Sequence, residues 1–517
     1  MKALKKILIF LLVCLLCGCS NTHTPSGEND SVQNEETVEA NNKIINMYAI
    51  RENDLNPLMT STESGRLMLS LVFRPLITVG QNFDYSCCLA ETITPTGDCG
   101  SYNITLRKDI SWDDGSSFTS ADVEYTVRKI MEYGEESPNF DNLRNVTGYG
   151  TNGVHGYTFV LENADAGFPC LLNFPVVKNG SLENGVGTTG TGDYTLTNYK
   201  DYSSYFLTAK IPKGEGYADK IKVTLLPDDN SAYSSYKLGK INLLKLSADN
   251  SQSYTVDGQM TYFPANTNRY SFLAVNHNNS NLADPAVRRL IAKILSQETV
   301  ITDLMPEFAL HADSFVNPNA YFASVNDASY GDIKEAFDEI GYSPDESGIR
   351  VKKVDGGKRR LSFDILVNGD NPSKVIAAEY ISNLLGSYGI YTTITKPDYT
   401  SYIDAIVSDS FDLALCETII SLNTDYTFLI GSEGSANFGG YSSEKADELL
   451  ALISKSADKT ARVDFLKQLQ ALFYTDMPHI PLWFQTSKIV YSSSVFKDPI
   501  LGGLGDEFSS LNSWIVK

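Results

Sequence analysis

Between residues 102 and 131 the hydrophobic period of the chain changes once. Tyr102, Ile104 and Leu106 alternate with Asn103, Thr105 and Arg107, the two-residue period of a strand with one buried face. Asp113, Asp114 and Gly115 follow and predict a tight turn, because Gly accepts positive φ and Asp bonds its own backbone. Thr119 then stands three positions before Asp122, and Val123, Val127 and Ile130 recur at helical spacing. That arrangement predicts a helix with Thr119 as N-cap and an acid closing a capping box.

The same two periods alternate along most of the chain. Ile44, Ile45 and Met47 open a strand, Pro57 forces a turn, and residues 65–79 predict an amphipathic helix. Strands are predicted over 221–226, 363–366 and 411–415, and helices over 375–385 and 399–407. Asp284 followed by Pro285 predicts a further helix start, since Pro at the first helical position lacks only an N–H that has no helical partner. Alternation of this kind predicts layered α/β architecture. Gly185, Gly187 and Gly190 satisfy G-x-G-x-x-G as a string. Tyr194, Leu196 and Tyr199 follow with strand character where a dinucleotide fold needs a helix, so no nucleotide cofactor is expected.

The N-terminus predicts export. Lys2, Lys5 and Lys6 precede an apolar run over 7–16, too short for a permanent span. It ends in Leu16-Cys17-Gly18-Cys19, which resembles a bacterial lipobox with Cys19 as the lipidated first mature residue. Residues 20–42 are built mostly of Ser, Thr, Asn and Glu with no Lys or Arg, and have too little to bury to fold.

The wording of residues 102–131, YNITLRKDISWDDGSSFTSADVEYTVRKIM, resembles the signature of the family 5 solute-binding proteins of ABC importers, the oligopeptide-, dipeptide- and nickel-binding group. Leu106-Arg107-Lys108, Asp114-Gly115, Thr119 and Asp122-Val123 fall in register without a gap. GTTGTGDYTLTNY, the stretch from Phe272 to Ile301 with Asn276 and Val287-Arg288, NFGGYSSEKADELLALI and PHIPLW continue the resemblance in order. It implies a two-lobed periplasmic-binding-protein-like α/β fold of the cluster C type, with an extra subdomain and hinge closure around ligand. The expected division is 1–18 signal, 19–42 lipidated tether, 43–78 with 188–271 and 486–517 as lobe I, 79–187 as the extra subdomain, and 272–485 as lobe II.

Composition narrows the partners. A formal net charge of −21 argues against nucleic acid. Past the signal and Cys19, Cys87, Cys88, Cys99, Cys170 and Cys416 remain, in spacings that fit no zinc site. A disulfide from Cys99 to Cys87 or Cys88 across a hairpin and buried free thiols are both open readings. The five His are scattered, and neither a G-x-S-x-G elbow nor a phosphate-binding loop occurs, so no catalytic or metal site is expected.

The resemblance implies a monomer that carries a small solute, an oligopeptide or dipeptide by default, to a membrane permease, with no cofactor. In peptide binders an acid after the strand at 411–415 holds the peptide ammonium. Its aligned place falls near Ile420, so Glu417 or Asp425 would have to serve from a shifted backbone. Ser61 and Glu63 after the Pro57 turn, Tyr399, Asn437, and Trp483 with Phe484 at the second crossover complete the expected ligand-binding set, core packing being the competing role for the two aromatics. Rival functions are a sensor or surface adhesin of the same fold without its own permease, and a secreted peptide hydrolase.

Overall fold

The computed structural model describes residues 44–52, 55–182, 188–199, 203–214, 216–247, 260–296, 308–324 and 332–517. The signal, Cys19, the tether, and Gly185 and Gly187 lie outside them. Among the described residues no helix is long and apolar enough to cross a membrane.

The chain forms two lobes, each with its own core. In the first, Ile45–Ile50 lies parallel to Lys220–Leu226, and Ser204–Ala209 and Tyr194–Thr197 continue the sheet antiparallel. Ile45, Met47 and Ala49 enter the core at the two-residue strand period. A second four-stranded antiparallel sheet, in the order Ala90–Thr96, Ser101–Leu106, Gly156–Leu161, Val146–Thr151, belongs to the extra subdomain and shares this core.

Within that subdomain the local signals act as expected. Tyr102, Ile104 and Leu106 are buried and Asn103 and Thr105 exposed. Gly115 closes the turn at φ 82°, and Thr119 with Asp122 forms the capping box of the helix Ser120–Tyr133. Asp122 also does more than cap. Its Oδ2 accepts from Thr119 N at 2.8 Å and Trp112 Nε1 at 3.2 Å, and its Oδ1 accepts from Asn179 N at 2.9 Å. One buried carboxylate thus joins turn, helix and a loop 57 residues on.

The second lobe is built on a larger sheet. Its order is Leu243–Leu246, Ile480–Tyr491, Thr261–Val275, Leu413–Ile419, Ser362–Leu366, Tyr391–Thr395, with Ala309–His311 added to Ile480–Tyr491. Asp284 caps the helix Pro285–Leu295, accepting from Ala286 N at 2.9 Å. From that helix the buried Arg288 donates to the carbonyls of Leu282, Ala283, Asp476 and Met477, clamping the end of the helix Lys459–Asp476.

Two long antiparallel strands, Thr261–Val275 and Ile480–Tyr491, belong to both lobes. Ala265 and Ile489 pack in the first core, whereas Tyr270, Phe272, Ile480 and Phe484 pack in the second. The register between them shifts between Asn266 and Tyr270, a bulge that bends the pair and adds local twist. The bulged residues are held: Thr267 Oγ1 donates to Gln485 O at 2.6 Å, and Asn268 Nδ2 to Ile420 O at 2.7 Å.

Three expectations need correction. The helix predicted over 65–79 ends at Ser70, and Ile77–Val79 is a strand. Pro75 cannot donate, and it restricts Arg74 to extended backbone, so the apolar period continues after the helix cannot. The strand predicted over 411–415 begins at Leu413, because the Asp412 carboxylate is taken by Asn279 Nδ2 at 2.8 Å and Asp364 N at 2.9 Å. No disulfide joins Cys99 to Cys87 or Cys88; all five thiols are free. Cys99 is buried with its thiol 3.7 Å from Lys455 O, while Cys87 sits opposite Ile77 on an exposed strand.

Replacing Asp122 by Ala leaves four donors, Thr119 N and Oγ1, Trp112 Nε1 and Asn179 N, without their acceptor, and is expected to cost at least about 2 kcal/mol. Urea unfolding followed by tryptophan fluorescence checks this; an unchanged midpoint would contradict the account of Asp122.

Candidate functional site

The bulge sets the geometry beside it. Ser271 stands opposite both Glu417 on Leu413–Ile419 and Trp483 on Ile480–Tyr491. Glu417 Oε2 accepts from Lys374 Nζ at 2.5 Å, Gln485 Nε2 at 2.6 Å and Ser271 Oγ at 3.1 Å, and Oε1 from Arg269 Nη1 at 3.1 Å. Lys374, from the helix Pro372–Ser387, also lies 5.6 Å from the Trp483 ring centre, within reach of a cation–π attraction. Burial works against charge on Glu417, but Lys374 and then Arg269 outweigh it and hold the carboxyl below its ordinary value. Two cations therefore already neutralise the acid that sequence spacing nominates.

Ile419 continues this strand two residues on, exposed toward a cleft of ≈ 450 Å³. Lobe I supplies the apolar Phe73 and Ile77; the extra subdomain supplies Val79 with Asn139, Asn142 and Asn173, of which Asn142 Nδ2 already donates to Leu171 O and Asn173 Oδ1, each at 3.0 Å. Arg66, which donates to Ser61 O, also lines it. So does Asp506, on the glycine-rich turn 502–506, where Gly505 has φ 71° and Leu504 N donates to Val79 O at 2.7 Å. A Cβ on Gly503 would stand 2.7 Å from that same carbonyl, so the turn seats against the cleft wall only without a side chain there. Asp506 Oδ1 is enclosed with no hydrogen-bond partner, and burial pushes the carboxyl up to about 7, with the Ser70 and Ser509 hydroxyls pulling the other way.

The turn is tied to the bulge through Gln81. Its Nε2 donates to Gly503 O at 2.9 Å, and its Oε1 accepts from Asn266 N at 2.9 Å. Asp506 and the lobe crossing therefore share one short chain of bonds.

The other sequence-nominated residues are placed as follows. Ser61 Oγ and N both donate to Glu52 Oε1. Glu63 pairs at 2.7 Å with Lys245, which also pairs at 2.7 Å with the buried Glu507, beside a separate pocket of ≈ 360 Å³. Asp425 lines a pocket of ≈ 540 Å³ at the contact between the extra subdomain and lobe II. There Asn423 Nδ2 donates to Asp165 at 2.7 Å, and burial pushes the Asp165 carboxyl up to about 6. Asp425 itself accepts from Thr427 N at 2.9 Å. Asn437 Nδ2 donates to Tyr441 O at 2.7 Å and Gly431 O at 2.9 Å, holding its own loop. Tyr399 is 57% exposed, at the start of the helix Tyr399–Val407. Phe484 stacks on Tyr270 at 4.9 Å inside the core. The structure thus brings Glu417 and Trp483 together, with Phe484 next to Trp483 on the same strand, while Ser61, Glu63, Tyr399, Asp425 and Asn437 make their contacts elsewhere. Among the described residues no group of His, Cys, Asp and Glu is arranged to hold a metal.

A two-lobed α/β chain, joined by two crossing strands beside a lined cleft, has the architecture of a solute-binding protein. The family model for bacterial extracellular solute-binding proteins, family 5 Middle, matches residues 85–440. This chain belongs to that family. The oligopeptide-binding protein OppA of Bacillus subtilis (strain 168) is 22% identical over 548 residues, covering 97% of each chain. Among solved structures, the unliganded open form of the periplasmic murein tripeptide-binding protein MppA superposes with a TM-score of 0.78 at 16% identity, covering 93% of this chain and 98% of that one. A nickel ABC transporter structure from Bacillus halodurans gives 0.77 at 16% identity, over 92% and 99%. Members of this family work outside the cytoplasm as solute-binding components.

Arg66, Asp506 and the three asparagines escaped sequence reading. The available signal was the run Gly502-Gly503-Leu504-Gly505 before an acid, whose three glycines in four residues mark a close backbone approach.

The Glu417 cluster makes a pH prediction. A carboxyl held below its ordinary 4.5 contributes stability that is present above that value and lost as pH falls through the folded value. The stability difference between wild type and Glu417→Gln is therefore expected to be largest above pH 4.5 and to shrink below it, read by urea midpoints between pH 6 and pH 3. A difference that does not change over that range would show that Lys374 and Arg269 do not act on Glu417 as described.

Proposed function

We propose that this chain is the lipid-anchored substrate-binding subunit of an ABC importer, that it captures a small peptide between its lobes, and that it delivers the peptide to a membrane permease. The observation that carries the reading is the ≈ 450 Å³ cleft beside the crossing strands, lined by lobe I and the extra subdomain and met by Asn268 and Ile419 from the larger sheet. Its volume falls in the range of small-molecule sites, about 300–1,000 Å³. The amide oxygens of Asn139 and Asn142 are the polar groups that suit the N–H groups of an extended peptide, their Nδ2 atoms being bonded to Leu58 O, Leu171 O and Asn173 Oδ1, and the apolar walls suit its side chains. The names of the sequence relatives, oligopeptide- and dipeptide-binding proteins, favour the same ligand class.

None of the nominated residues lines this cleft: Glu417 stands two positions before Ile419, which does, and Ser61 O accepts from Arg66, which does. The remaining nominated residues would contribute only as the lobes close. Closure requires the ligand to bind the closed state better than the open one, because equal affinity shifts no population. Lipidation at Cys19 and the polar tether would keep the binding lobes near the permease while leaving them free to close. The protein acts as a monomer without cofactor, and its net charge of −21 suits neither nucleic acid nor an anionic surface.

Two measurements test the reading. Residues 20–517, made without lipid, are expected to compact measurably in small-angle scattering when a mixed tripeptide and pentapeptide pool is added; if no pool compacts or stabilises the protein, the peptide assignment fails. In the host cell, Cys19→Ser is expected to move the protein from the membrane fraction to the soluble one. Retention in the membrane would remove the lipid anchor from the account.

A further inference from the structure

We propose that Asp506, on lobe I, is the group that receives the ligand's α-ammonium, a role that the neutralised Glu417 on the larger sheet is not free to take. The assignment rests on the peptide reading above. Four observations carry it.

First, Asp506 lines the cleft and its Oδ1 is enclosed without a hydrogen-bond partner. An enclosed carboxylate oxygen left unpaired is costly to the protein alone, and a ligand donor removes that cost. Second, among the described residues no Lys or Arg pairs with Asp506, whereas Glu417 holds two and Asp84, Asp113, Asp114, Asp193 and Glu507 each hold one. Third, its neighbours are hydroxyls and an acid rather than cations: Ser70 and Ser509 hydrogen-bond the carboxyl, and the adjacent Glu507 is taken by Lys245. The carboxyl sits near neutrality, so a bound cation decides its charge. Fourth, its turn is bonded through Gln81 to Asn266 at the bulge, so a ligand pulling on Asp506 acts on the segment about which the lobes are joined.

Glu417 fails as an anchor on the same terms. Both of its oxygens are committed, to Lys374, Arg269, Ser271 and Gln485, and an entering ammonium would meet two cations. Arg66 also lines the cleft, one helical turn before Ser70, and gives the carboxylate of a short zwitterionic peptide a partner of the right sign. The ligand class is then a small peptide with a free N-terminus, oriented with its amine toward the 502–506 turn.

The test compares a defined tripeptide pool with the same pool N-acetylated, each titrated into wild type, Asp506→Asn and Asp506→Glu by calorimetry. In wild type, acetylation is expected to weaken binding about 10- to 100-fold, the scale of a charge-assisted hydrogen bond. Asp506→Asn is expected to bind the free pool weakly by the same factor and to lose the preference over the acetylated one, with Asp506→Glu retaining part of it. Because the unpaired carboxylate costs the empty protein, the melting midpoint of unliganded Asp506→Asn is expected to equal or exceed that of wild type. A merely structural Asp506 would instead lower that midpoint and leave the preference between pools intact, which overturns the assignment. Wild type binding both pools equally also overturns it. If wild type binds neither pool, the peptide reading itself fails, and this anchor with it.

Discussion

Everything in this fold depends on one pair of strands belonging to two cores. Thr261–Val275 and Ile480–Tyr491 are packed at one end with Ile45 and Met47 and at the other with Ile365 and Leu413. A pair shared in this way must either bend or force the two cores into one. The register shift between Asn266 and Tyr270 supplies the bend, and side-chain bonds from Thr267 and Asn268 satisfy the backbone that the ladder cannot. The bulge also determines chemistry: it turns Arg269 to Glu417 and exposes Asn268 to the cleft.

From that bend follow two kinds of carboxylate. Glu417 lies on the strand surface where sheet neighbours and a helix can reach it, and the protein closes its charge internally. A buried ion with two cations and two neutral donors is rigid and specific more than it is stabilising. Asp506 lies on a loop that can approach the cleft only because glycines remove side chains from its path. Among the described residues no cation pairs with it, and only the Ser70 and Ser509 hydroxyls favour its charge. The contrast separates a structural ion cluster from a recognition group, although both are partly buried acids.

What the sequence made legible was local. Thr119 and Asp122, Asp284 and Pro285, and the alternation at Tyr102 each act through neighbours three or four positions away, so spacing alone carries them. The family wording extended that to the order of elements and to the two-lobed architecture. Spacing misled where one local rule overrode another: the apolar period over 65–79 persists, yet Pro75 stops the helix. It was silent where partners are distant. Arg269 lies 148 residues from Glu417 and Lys374 lies 43, so nothing local warns that the nominated acid is already occupied. Asp506 joins a cleft whose other wall comes from residues 66–79 and 139–175, and only folding brings these together. The cysteines show the same limit, since Cys99 meets Lys455 across 356 residues and neither Cys87 nor Cys88.

The central claim is that the ligand's charge is met by lobe I while the Glu417 cluster stays closed. The most direct measurement is a crystal structure of the protein with a bound tripeptide. The account predicts the peptide nitrogen within hydrogen-bond distance of Asp506, with Lys374 and Arg269 still bonded to Glu417. A peptide nitrogen seated on Glu417 or Asp425, with those two cations displaced or Asp506 left unpaired, would contradict it.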